Sequence, residues 1–298
     1  MERWVRTRYS LIISRYRRWV GIAVNVLYIK LDDQKEVAST DITDHLTFLG
    51  LSEGPSLSNN YRDDTLEDGQ VWNYSRYVQT TVTAKFLLQF IDRRNFKMAK
   101  HEIYRVLAQK GIYRLRTGVE PDIVRYCRAG SFEIKSDPEE VNYCTFEVPF
   151  ENPSGMRFSK LHSDDMKDED FLDLNMNMDE NTPSYHFKGQ NKFTVYNDSD
   201  ITIDPVQQHH DFKITMKHNG GKFTIKNETT NTSWTYNKNV AGTDTLVLQG
   251  RKLEKNNNFD SANTDYGYIT LAPGPNQFTV TGADDLDITF SFPFIYLG

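Results

Sequence analysis

The chain contains, close to its C-terminal end, the stretch Tyr266-Gly-Tyr-Ile-Thr-Leu-Ala-Pro-Gly-Pro-Asn-Gln-Phe-Thr-Val-Thr-Gly282. Polar and apolar residues alternate before the prolines, which predicts a half-buried strand over 267–271. The segment Ala272-Pro-Gly-Pro275 predicts a turn, because each proline lacks a backbone N–H and Gly274 accepts a positive φ. Alternation resumes at Asn276, which predicts a second strand. The stretch holds no pattern typical of a nucleophile, a base or a metal site, so it predicts the edge of a β-sandwich or barrel.

Length and composition indicate a β-rich protein of more than one domain. The chain has 298 residues, which predicts about two domains of about 100–200 residues each. It contains 16 Tyr and 18 Phe, and abundant aromatics favour strands over helices. The formal net charge of −6 argues against nucleic acid as the main partner, so we expect no recognition of nucleic-acid sequence. The two cysteines, Cys127 and Cys144, are too few for a disulfide scaffold and predict reduced thiols.

Residues 1–23 differ in charge from the rest of the chain. They contain six arginines and one acidic residue, a charge of +5. One interpretation is a basic amphipathic helix that contacts a membrane or nucleic acid. We favour the other, a poorly ordered extension or a start assigned too far upstream. The apolar residues 19–24 lack a signal-peptide cleavage site, and no apolar run reaches the roughly 18 residues that span a bilayer, so we expect no membrane span.

Residues 24–150 predict an α+β domain of mostly antiparallel strands with one helix. Residues 77–90 alternate as one long strand, and Asp92 is a candidate N-cap for a helix with apolar residues at 3, 4 and 7 spacing. Residues 50–69 predict a long polar loop, which in a compact domain is typical of a functional or assembly contact. Further predicted strands are 24–31, 46–49, 112–116, 122–128, 131–135 and 142–148.

The remaining chain predicts an acidic connector followed by a β-sandwich. Residues 151–190 carry nine acidic residues and lose periodicity. Asp173-x-Asn175-x-Asn177 resembles the start of a calcium loop, but the glycine and glutamate that such a loop needs further on are missing. Residues 191–298 predict about nine short strands at the regular spacing of a sandwich, with a type I′ hairpin turn at Asn219-Gly220. These strands are 193–196, 201–203, 212–218, 222–226, 233–236, 245–249, 267–271, 277–281 and 286–292.

The sequence contains none of the common catalytic or nucleotide-binding signatures. His209, His210 and His218 form its one histidine cluster. On a strand, His210 and His218 would lie roughly 26 Å apart, too far for one metal, so we interpret all three as exposed turn residues. Paired carboxylates of a glycoside hydrolase remain open from sequence alone. We predict no catalytic residue, no metal site and no cofactor, and an enzyme is the least favoured class.

Several short segments carry a family resemblance by their order. They are Glu67-Asp-Gly-Gln-Val-Trp-Asn-Tyr-Ser-Arg-Tyr-Val78, the strand, Asp turn and helix of 85–111, Tyr143-Cys-Thr-Phe-Glu-Val-Pro149, Tyr196-Asn-Asp-Ser-Asp-Ile-Thr-Ile-Asp-Pro205, Asn227-Glu-Thr-Thr230, Leu271-Ala-Pro-Gly-Pro-Asn276 and the aromatic strand 290–297. Over residues 24–298, this order resembles the distal tail proteins of long-tailed bacteriophages. The chain departs from that family in its basic residues 1–23 and in a loop around Gly69 that is poorer in glycine.

The resemblance implies an architecture and a place in a virion. It implies an α+β, split-barrel-like N-terminal belt domain that closes into a hexameric ring, and an all-β, galectin-like C-terminal sandwich at the periphery. Such a ring joins the tail tube to the tip spike. The implied partners are further copies of the chain, the tail tube protein, the tail-tip or tail-associated protein and the receptor-binding protein. The implied location is the phage tail tip, after assembly in the cytoplasm of the bacterial host.

A cyclic ring is built from heterologous contacts, in which one patch meets a different patch on the neighbour. We expect the loop and the long strand of the first domain to form that contact through an exposed strand edge. The candidate ring-interface residues are Asp68, Gly69, Tyr77, Val78, Thr80 and Val82.

A carbohydrate-binding or adhesion module is the alternative function. Trp234 and Tyr236 are two apart on one predicted strand face and could form an exposed sugar platform. We favour the interpretation that they are inward-facing core residues. The sugar-binding signature of galectins, His-x-Asn-Pro-Arg, is absent, so the implied fold gives no support for sugar binding.

Overall fold

The computed structural model describes residues 25–63, 68–136, 142–167, 170 and 183–298. The predicted basic extension 1–23 and the central part of the predicted connector lie outside the described residues. The chain divides into two compact units: unit 1 comprises Met1–Arg157 with Leu297–Gly298, and unit 2 comprises Phe158–Tyr296.

The first half of the chain forms ten strands and one helix among the described residues. They are β1 (Leu27–Leu31), β2 (Val37–Ala38), β3 (Leu46–Ser52), β4 (Leu57–Asp63), β5 (Gln70–Tyr77), β6 (Thr80–Gln89), helix α1 (Arg93–Leu107), β7 (Tyr113–Thr117), β8 (Ile123–Ala129), β9 (Tyr143–Asn152) and β10 (Met156–Ser159). Seven strands form the antiparallel main path of a nine-stranded sheet, in the order β2-β1-β7-β8-β9-β6-β3, and β10 pairs with β8 beside that path. Strands β4 and β5 pair as a separate two-stranded sheet.

The core of unit 1 lies between α1 and the inner face of this sheet. Alternate residues of β6, such as Val82 and Phe86, are fully buried, as the period-2 pattern predicts. Helix α1 buries Ala99, Ile103 and Leu107 in the same cluster. The predicted N-cap is confirmed, because the Asp92 side chain accepts a hydrogen bond from the Asn95 backbone N–H at 2.7 Å, which satisfies one of the free donors of the first turn.

The structure differs from three predictions in this region. The strand predicted over 77–90 begins only at Thr80, since Tyr77 ends β5. The loop predicted over 50–69 is wrong, because β3 continues to Ser52 and β4 follows within the same range. The alternation in β4 is obscured by Ser58, Asn59 and Asn60, which are poor strand formers in isolation. The segment predicted as a strand over 131–135 is not one.

The second half of the chain forms eleven strands. They are β11 (His186–Lys188), β12 (Lys192–Asn197), β13 (Lys213–Lys217), β14 (Phe223–Asn227), β15 (Thr232–Tyr236), β16 (Leu246–Gln249), β17 (Lys252–Lys255), β18 (Asn258–Phe259), β19 (Gly274–Thr281), β20 (Asp287–Ser291) and β21 (Ile295–Leu297). Ten of these strands form two sheets, in the orders β11-β20-β13-β16-β17-β18 and β12-β19-β14-β15, and β21 pairs with β10.

Aromatic side chains join the two sheets of unit 2 into a sandwich. The Phe278 ring of β19 lies 5.0 Å from the Phe290 ring of β20, which belongs to the other sheet. Phe193 of β12 stacks on Phe278 at 5.4 Å and lies 5.9 Å from Phe290. Ring separations of this size are typical of packed aromatic cores. Strands β10 and β11 lie within the range predicted as connector, where Tyr185 and Phe187 are buried.

The hairpin predicted at Asn219-Gly220 is wrong. Strands β13 and β14, on either side of it, belong to different sheets, and Gly220 instead forms a bridge with Val240. The strands predicted over 201–203 and 267–271 reduce to a single bridge between Ile203 and Leu271. Local turn chemistry therefore predicted that β13 pairs with β14, whereas in the folded sandwich each of these strands pairs within a different sheet.

The proline-rich stretch also differs from its prediction. Pro275 lies within β19, opposite Tyr196 of β12, rather than in a turn outside the strand. Strand β14 pairs with β19 only from Phe278 onward, so β19 has a partner on one side alone at Pro275 and tolerates the missing N–H. The turn is closed by the buried Asn276, whose Nδ2 donates to the Ala272 carbonyl at 2.8 Å and whose Oδ1 accepts from the Ala272 N–H at 2.9 Å.

Candidate assembly surface

Strands β4 and β5 form an isolated hairpin in unit 1. They pair with each other from Leu57 opposite Tyr77 to Asp63 opposite Gln70, and with no other described strand. A register shift between Asn60 and Tyr61 gives β5 one extra residue, which is the mark of a β-bulge. A two-stranded hairpin is marginally stable on its own in water, so this one needs a further surface to hold it.

One face of the hairpin carries four large, exposed side chains, in two pairs that the polar pair Asn59 and Ser75 separates. The register places Leu57 opposite Tyr77 and Tyr61 opposite Trp72, and directly paired residues share a face. Their exposed fractions are 57% for Leu57, 36% for Tyr77, 50% for Tyr61 and 58% for Trp72. The indole N–H of Trp72 donates to Ser75 Oγ at 3.0 Å, which fixes the ring on this face. We name these four residues the hairpin stripe.

The reverse face of the hairpin is mainly polar. Ser58 lies opposite Arg76, and Asn60 lies opposite Tyr74. The Asn73 side chain donates to Asn60 Oδ1 at 2.9 Å. Four of the hairpin's large exposed side chains therefore lie on one face, beside the polar residues Asn59, Ser75 and Asp63. Large exposed side chains grouped in this way are typical of interaction sites.

A buried ion pair anchors the segment that leads into the hairpin. The Arg125 side chain is 1% exposed; its Nε lies 2.7 Å from Glu53 Oε2, and its Nη2 lies 2.8 Å from Glu120 Oε2. Burial alone would lower the pKa of Arg125, but the hydrogen bonds and negative charges of Glu53 and Glu120 outweigh it and raise that pKa. The Gly54 carbonyl also accepts from Thr80 Oγ1 at 3.0 Å. These contacts fix where the hairpin leaves the sheet.

The predicted ring-interface residues fall into two groups. Asp68, Gly69 and Tyr77 are exposed on the hairpin, whereas Val78 and Thr80 are half-buried beside it. Val82 is fully buried in the core, so it has no side-chain surface to offer a neighbour. The predicted exposed edge is also wrong for β6, because β6 pairs with β9 on one side and β3 on the other.

Sequence reasoning missed Leu57, Tyr61 and Trp72. The aromatic residues of 70–77 were an available signal, because a segment with alternating aromatics needs a paired strand. Their common face became visible only with the register and its bulge. The bulge shifts the alternation by one residue, so sequence spacing alone assigns Trp72 and Tyr77 to opposite faces.

The predicted sugar platform is wrong. Trp234 is 0% exposed and Tyr236 is 1% exposed, which confirms the inward-facing interpretation. Phe223 lies edge-on against the Trp234 ring at 5.8 Å, and the Tyr236 hydroxyl donates to Asp260 Oδ2 at 2.7 Å. Buried rings cannot stack on a saccharide at the surface.

Other candidate groups show no catalytic arrangement. Cys127 and Cys144 are free, as predicted, and both are buried. Burial raises the pKa of the Cys127 thiol to about 12. His218 is buried against Asp285 rather than exposed. Within the described ranges, no three His, Cys, Asp or Glu residues are grouped as metal ligands. No helix within these described ranges is long and apolar enough to cross a membrane.

Comparison with known proteins identifies both halves of the chain. The family described as the phage tail protein RIFT-related domain matches residues 44–152, which contain the hairpin and α1. The family described as the phage tail C-terminal domain matches residues 178–292. No curated protein sequence matches the chain.

A solved structure shares the fold of this chain. The crystal structure of the Dit protein of phage SPP1, described as a paradigm of the hub of the adsorption apparatus in phages that infect Gram-positive hosts, aligns at a TM-score of 0.64 and 11% identity, covering 90% of this chain and 99% of that one. The activated phage p2 baseplate aligns at 0.42 and 10% identity, covering 91% and 98%. The Dit structure is the one of these two that shows the shared fold. With one phage tail family matched over residues 44–152 and another over residues 178–292, the chain belongs to the phage tail proteins.

Proposed function

We propose that the chain forms a hexameric ring at the distal end of a phage tail. The ring joins the tail tube to the tip and carries the receptor-binding proteins. The two phage tail families and the shared fold support a structural role at the tail tip. The sandwich of unit 2 takes the peripheral, galectin-like place in this assembly. The virion is the place of action, after assembly in the host cytoplasm.

The hairpin stripe is the observation that carries this proposal. Four half-exposed large side chains present about 400 Å² of apolar surface, at about 150–250 Å² for a full aromatic side chain. A stable interface buries about 800 Å² on each partner. The stripe thus supplies about half of one side of a standard interface, far more than a small ligand needs. Asp68, Gly69 and Tyr77 belong to the same contact.

A structural role also fits the proteins that the chain matches, which are phage tail proteins and the Dit hub of an adsorption apparatus. We infer that the chain itself is not an enzyme and uses no cofactor. Its contribution is mechanical, and mechanical strength requires large, partly apolar contacts between copies.

The native mass of the purified chain tests the proposal. Six copies of 34.6 kDa give about 208 kDa. We expect native mass spectrometry to show that species and single-particle imaging to show rings at micromolar concentration. A chain that stays at 34.6 kDa across that range, alone and with its tail tube protein, contradicts the ring.

A further inference from the structure

Helix α1 has one strongly basic, solvent-exposed face. Residues 92–107 contain five Lys or Arg against two acidic residues, a net charge of +3 in a chain whose net charge is −6. Positions 94, 97, 98, 101 and 105 have the i, i+3, i+4, i+7 and i+11 spacing that places side chains on one side of a helix. All five positions are exposed. The residues of this basic face are Arg94, Lys97, Met98, His101 and Arg105.

The acidic residues near the basic face do not neutralise it. The Asp92 carboxylate is engaged as the N-cap of the helix, and Glu102 is half-buried. Glu133 belongs to a segment that packs against α1, and it is paired with Lys135 at 2.8 Å. Across the described ranges, none of the three cations of the basic face lies within ion-pair distance of a carboxylate. Their charge is therefore available to another molecule.

The arrangement of these charges does not serve the stability of the helix. The N-terminus is the positive end of the helix dipole, where cations are unfavourable. Arg93 and Arg94 nevertheless occupy the first turn, which contains no acidic residue. Arg93 and Lys97 are also four apart, a spacing at which like charges repel. A bound partner of opposite charge would relieve both effects.

A cleft opens at the C-terminal end of the basic face. The face continues one turn further to Gln109, which lines this cleft. The cleft has a volume of about 590 Å³, and its lining includes Gln109, Lys110, Arg128 and Phe132. Lys110 and Arg128 are exposed cations, and Glu151, opposite Arg128 in the strand register, is the acid beside them. The cleft thus extends the positive surface and offers Phe132 to an apolar side chain.

We propose that the basic face and this cleft bind an acidic peptide segment of a second protein. The cations from Arg94 to Arg105 span about 16 Å along the helix, at 1.5 Å per residue, so they select a partner with several carboxylates in a row. Met98, at 58% exposure, lies between them and selects an apolar side chain among those carboxylates. That the partner is another protein of the tail rests on the proposed tail-tip role.

The apolar residues of this surface favour a peptide over a nucleic acid. Nucleic acids bind proteins mainly through their phosphates, to which Met98 and the 77% exposed Ile91 contribute nothing. The chain's net charge of −6 also repels a long polyanion. A short acidic segment meets less of this repulsion, because salt screens charges more than about a Debye length away.

Binding of a labelled acidic peptide to the full chain tests the proposal. The probe is a synthetic peptide of repeated Glu-Glu-Leu units, and fluorescence anisotropy measures its dissociation constant. We expect the triple variant Arg94→Gln, Lys97→Gln, Arg105→Gln to bind about tenfold more weakly than the wild type, because three exposed ion pairs are lost. Glutamine forms helices about as well as lysine and arginine, so α1 should remain folded, which circular dichroism checks.

A second triple variant separates the basic face from overall charge. Lys192→Gln, Lys222→Gln and Lys238→Gln remove three exposed lysines of unit 2 and change the net charge by the same amount. We expect this variant to bind the peptide as the wild type does. Equal weakening in the two triple variants overturns the proposal, and so does a wild-type chain that leaves the peptide unbound at millimolar concentration.

Two further measurements identify the partner's class. Met98→Gln should weaken binding of the peptide and leave binding of a mixed-sequence DNA duplex unchanged; a duplex that the wild type binds more tightly than the peptide overturns the proposal. Native mass spectrometry of the same samples reports the ring. Loss of the ring in the triple variant of the basic face would make that face a contact between copies. A monomeric wild type that binds the peptide removes the ring proposal and leaves this one standing.

Discussion

The chain contains two aromatic hairpins that resemble each other in sequence and differ in environment. Strands β4 and β5 present Tyr61 and Trp72 at 50% and 58% exposure, whereas β15 of the β14–β15 hairpin presents Trp234 and Tyr236 at 0% and 1%. Tyr61 and Trp72 face each other across two strands, and Trp234 and Tyr236 lie on one strand; in each pair the two rings share one face of their hairpin. The second hairpin lies in a four-stranded sheet that another sheet covers, and the first has no cover.

This difference separates a core from a contact surface. In the β14–β15 hairpin, burial of the aromatic rings is completed within unit 2, and the Tyr236 hydroxyl finds a partner in Asp260. In the β4–β5 hairpin, the aromatic rings stay exposed to water, and only contact with another molecule would bury them. Aromatic content therefore indicates that a face will be covered, and the fold decides whether the cover belongs to the same chain.

The largest expected effect is on the covered hairpin. Trp234→Ala should destabilise unit 2 by about 3–5 kcal/mol, because it removes a fully buried ring and leaves a cavity. Urea unfolding measures this change. Trp72→Ala is the matched control, since loss of an exposed side chain changes folding stability by about 0.5 kcal/mol or less. Equal losses for the two variants would remove the distinction between the hairpins.

The next effect concerns the uncovered hairpin. Trp72→Ala should weaken association between copies by about 2 kcal/mol or more, as buried interface tryptophans do, or about 30-fold in the dissociation constant. Sedimentation velocity over a range of concentrations measures the shift. Tyr74→Ala is the matched control, because Tyr74 is equally exposed, at 50%, but lies on the reverse face. A ring that is insensitive to Trp72→Ala would show that the stripe is not the contact.

The smallest expected effect is a pH dependence of the stability of unit 2, which unit 1 should not share. Asp198 of unit 2 is partly buried, and desolvation, with the nearby charge of Asp200, raises its pKa to about 6 although Tyr296 donates it a hydrogen bond. Because the pKa of Asp198 is higher in the folded than in the unfolded chain, the protonated carboxyl stabilises the folded state. This contribution is full below the ordinary value of 3.8 and is lost as pH rises through about 6.

Asp198→Asn removes this titration. Unit 2 of the wild type should lose about 1–2 kcal/mol between pH 4 and pH 7, after allowance for solvent screening, and the variant should not. Hydrogen exchange of the β12 and β20 amides at both pH values measures the difference. Parallel pH profiles for the two proteins would contradict the assignment. Amides of the hairpin provide the internal control, because they lie in unit 1.

Part of the fold followed from local patterns. The N-cap at Asp92, the apolar face of α1 and the alternation of β6 needed only side-chain chemistry and the helical and strand periods. The β-rich second half was also predictable, from regular strand spacing and aromatic content. The inward-facing interpretation of Trp234 and Tyr236 was confirmed for the same reason, since large apolar residues on a sandwich strand usually face its core.

Other features depended on contacts between residues far apart in sequence. Asn219-Gly220 has the chemistry of a hairpin turn, but the adjoining strands prefer partners in different sheets. Strand β4 has little apolar alternation and exists because β5 pairs with it. The buried Arg125 gave no signal of its partner Glu53, because Glu53 lies 72 residues before it in the chain.

The sequence by itself determined the class of this protein: two β-rich units, one capped helix and a set of ordered motifs typical of phage tails. It did so because periodicity and turn chemistry are local properties. Only the tertiary structure decided which surface is open for assembly. Exposure of Trp72 and burial of Trp234 depend on which sheet lies above each strand, and strand pairing, with its bulge and register, is set by the packing of the whole unit.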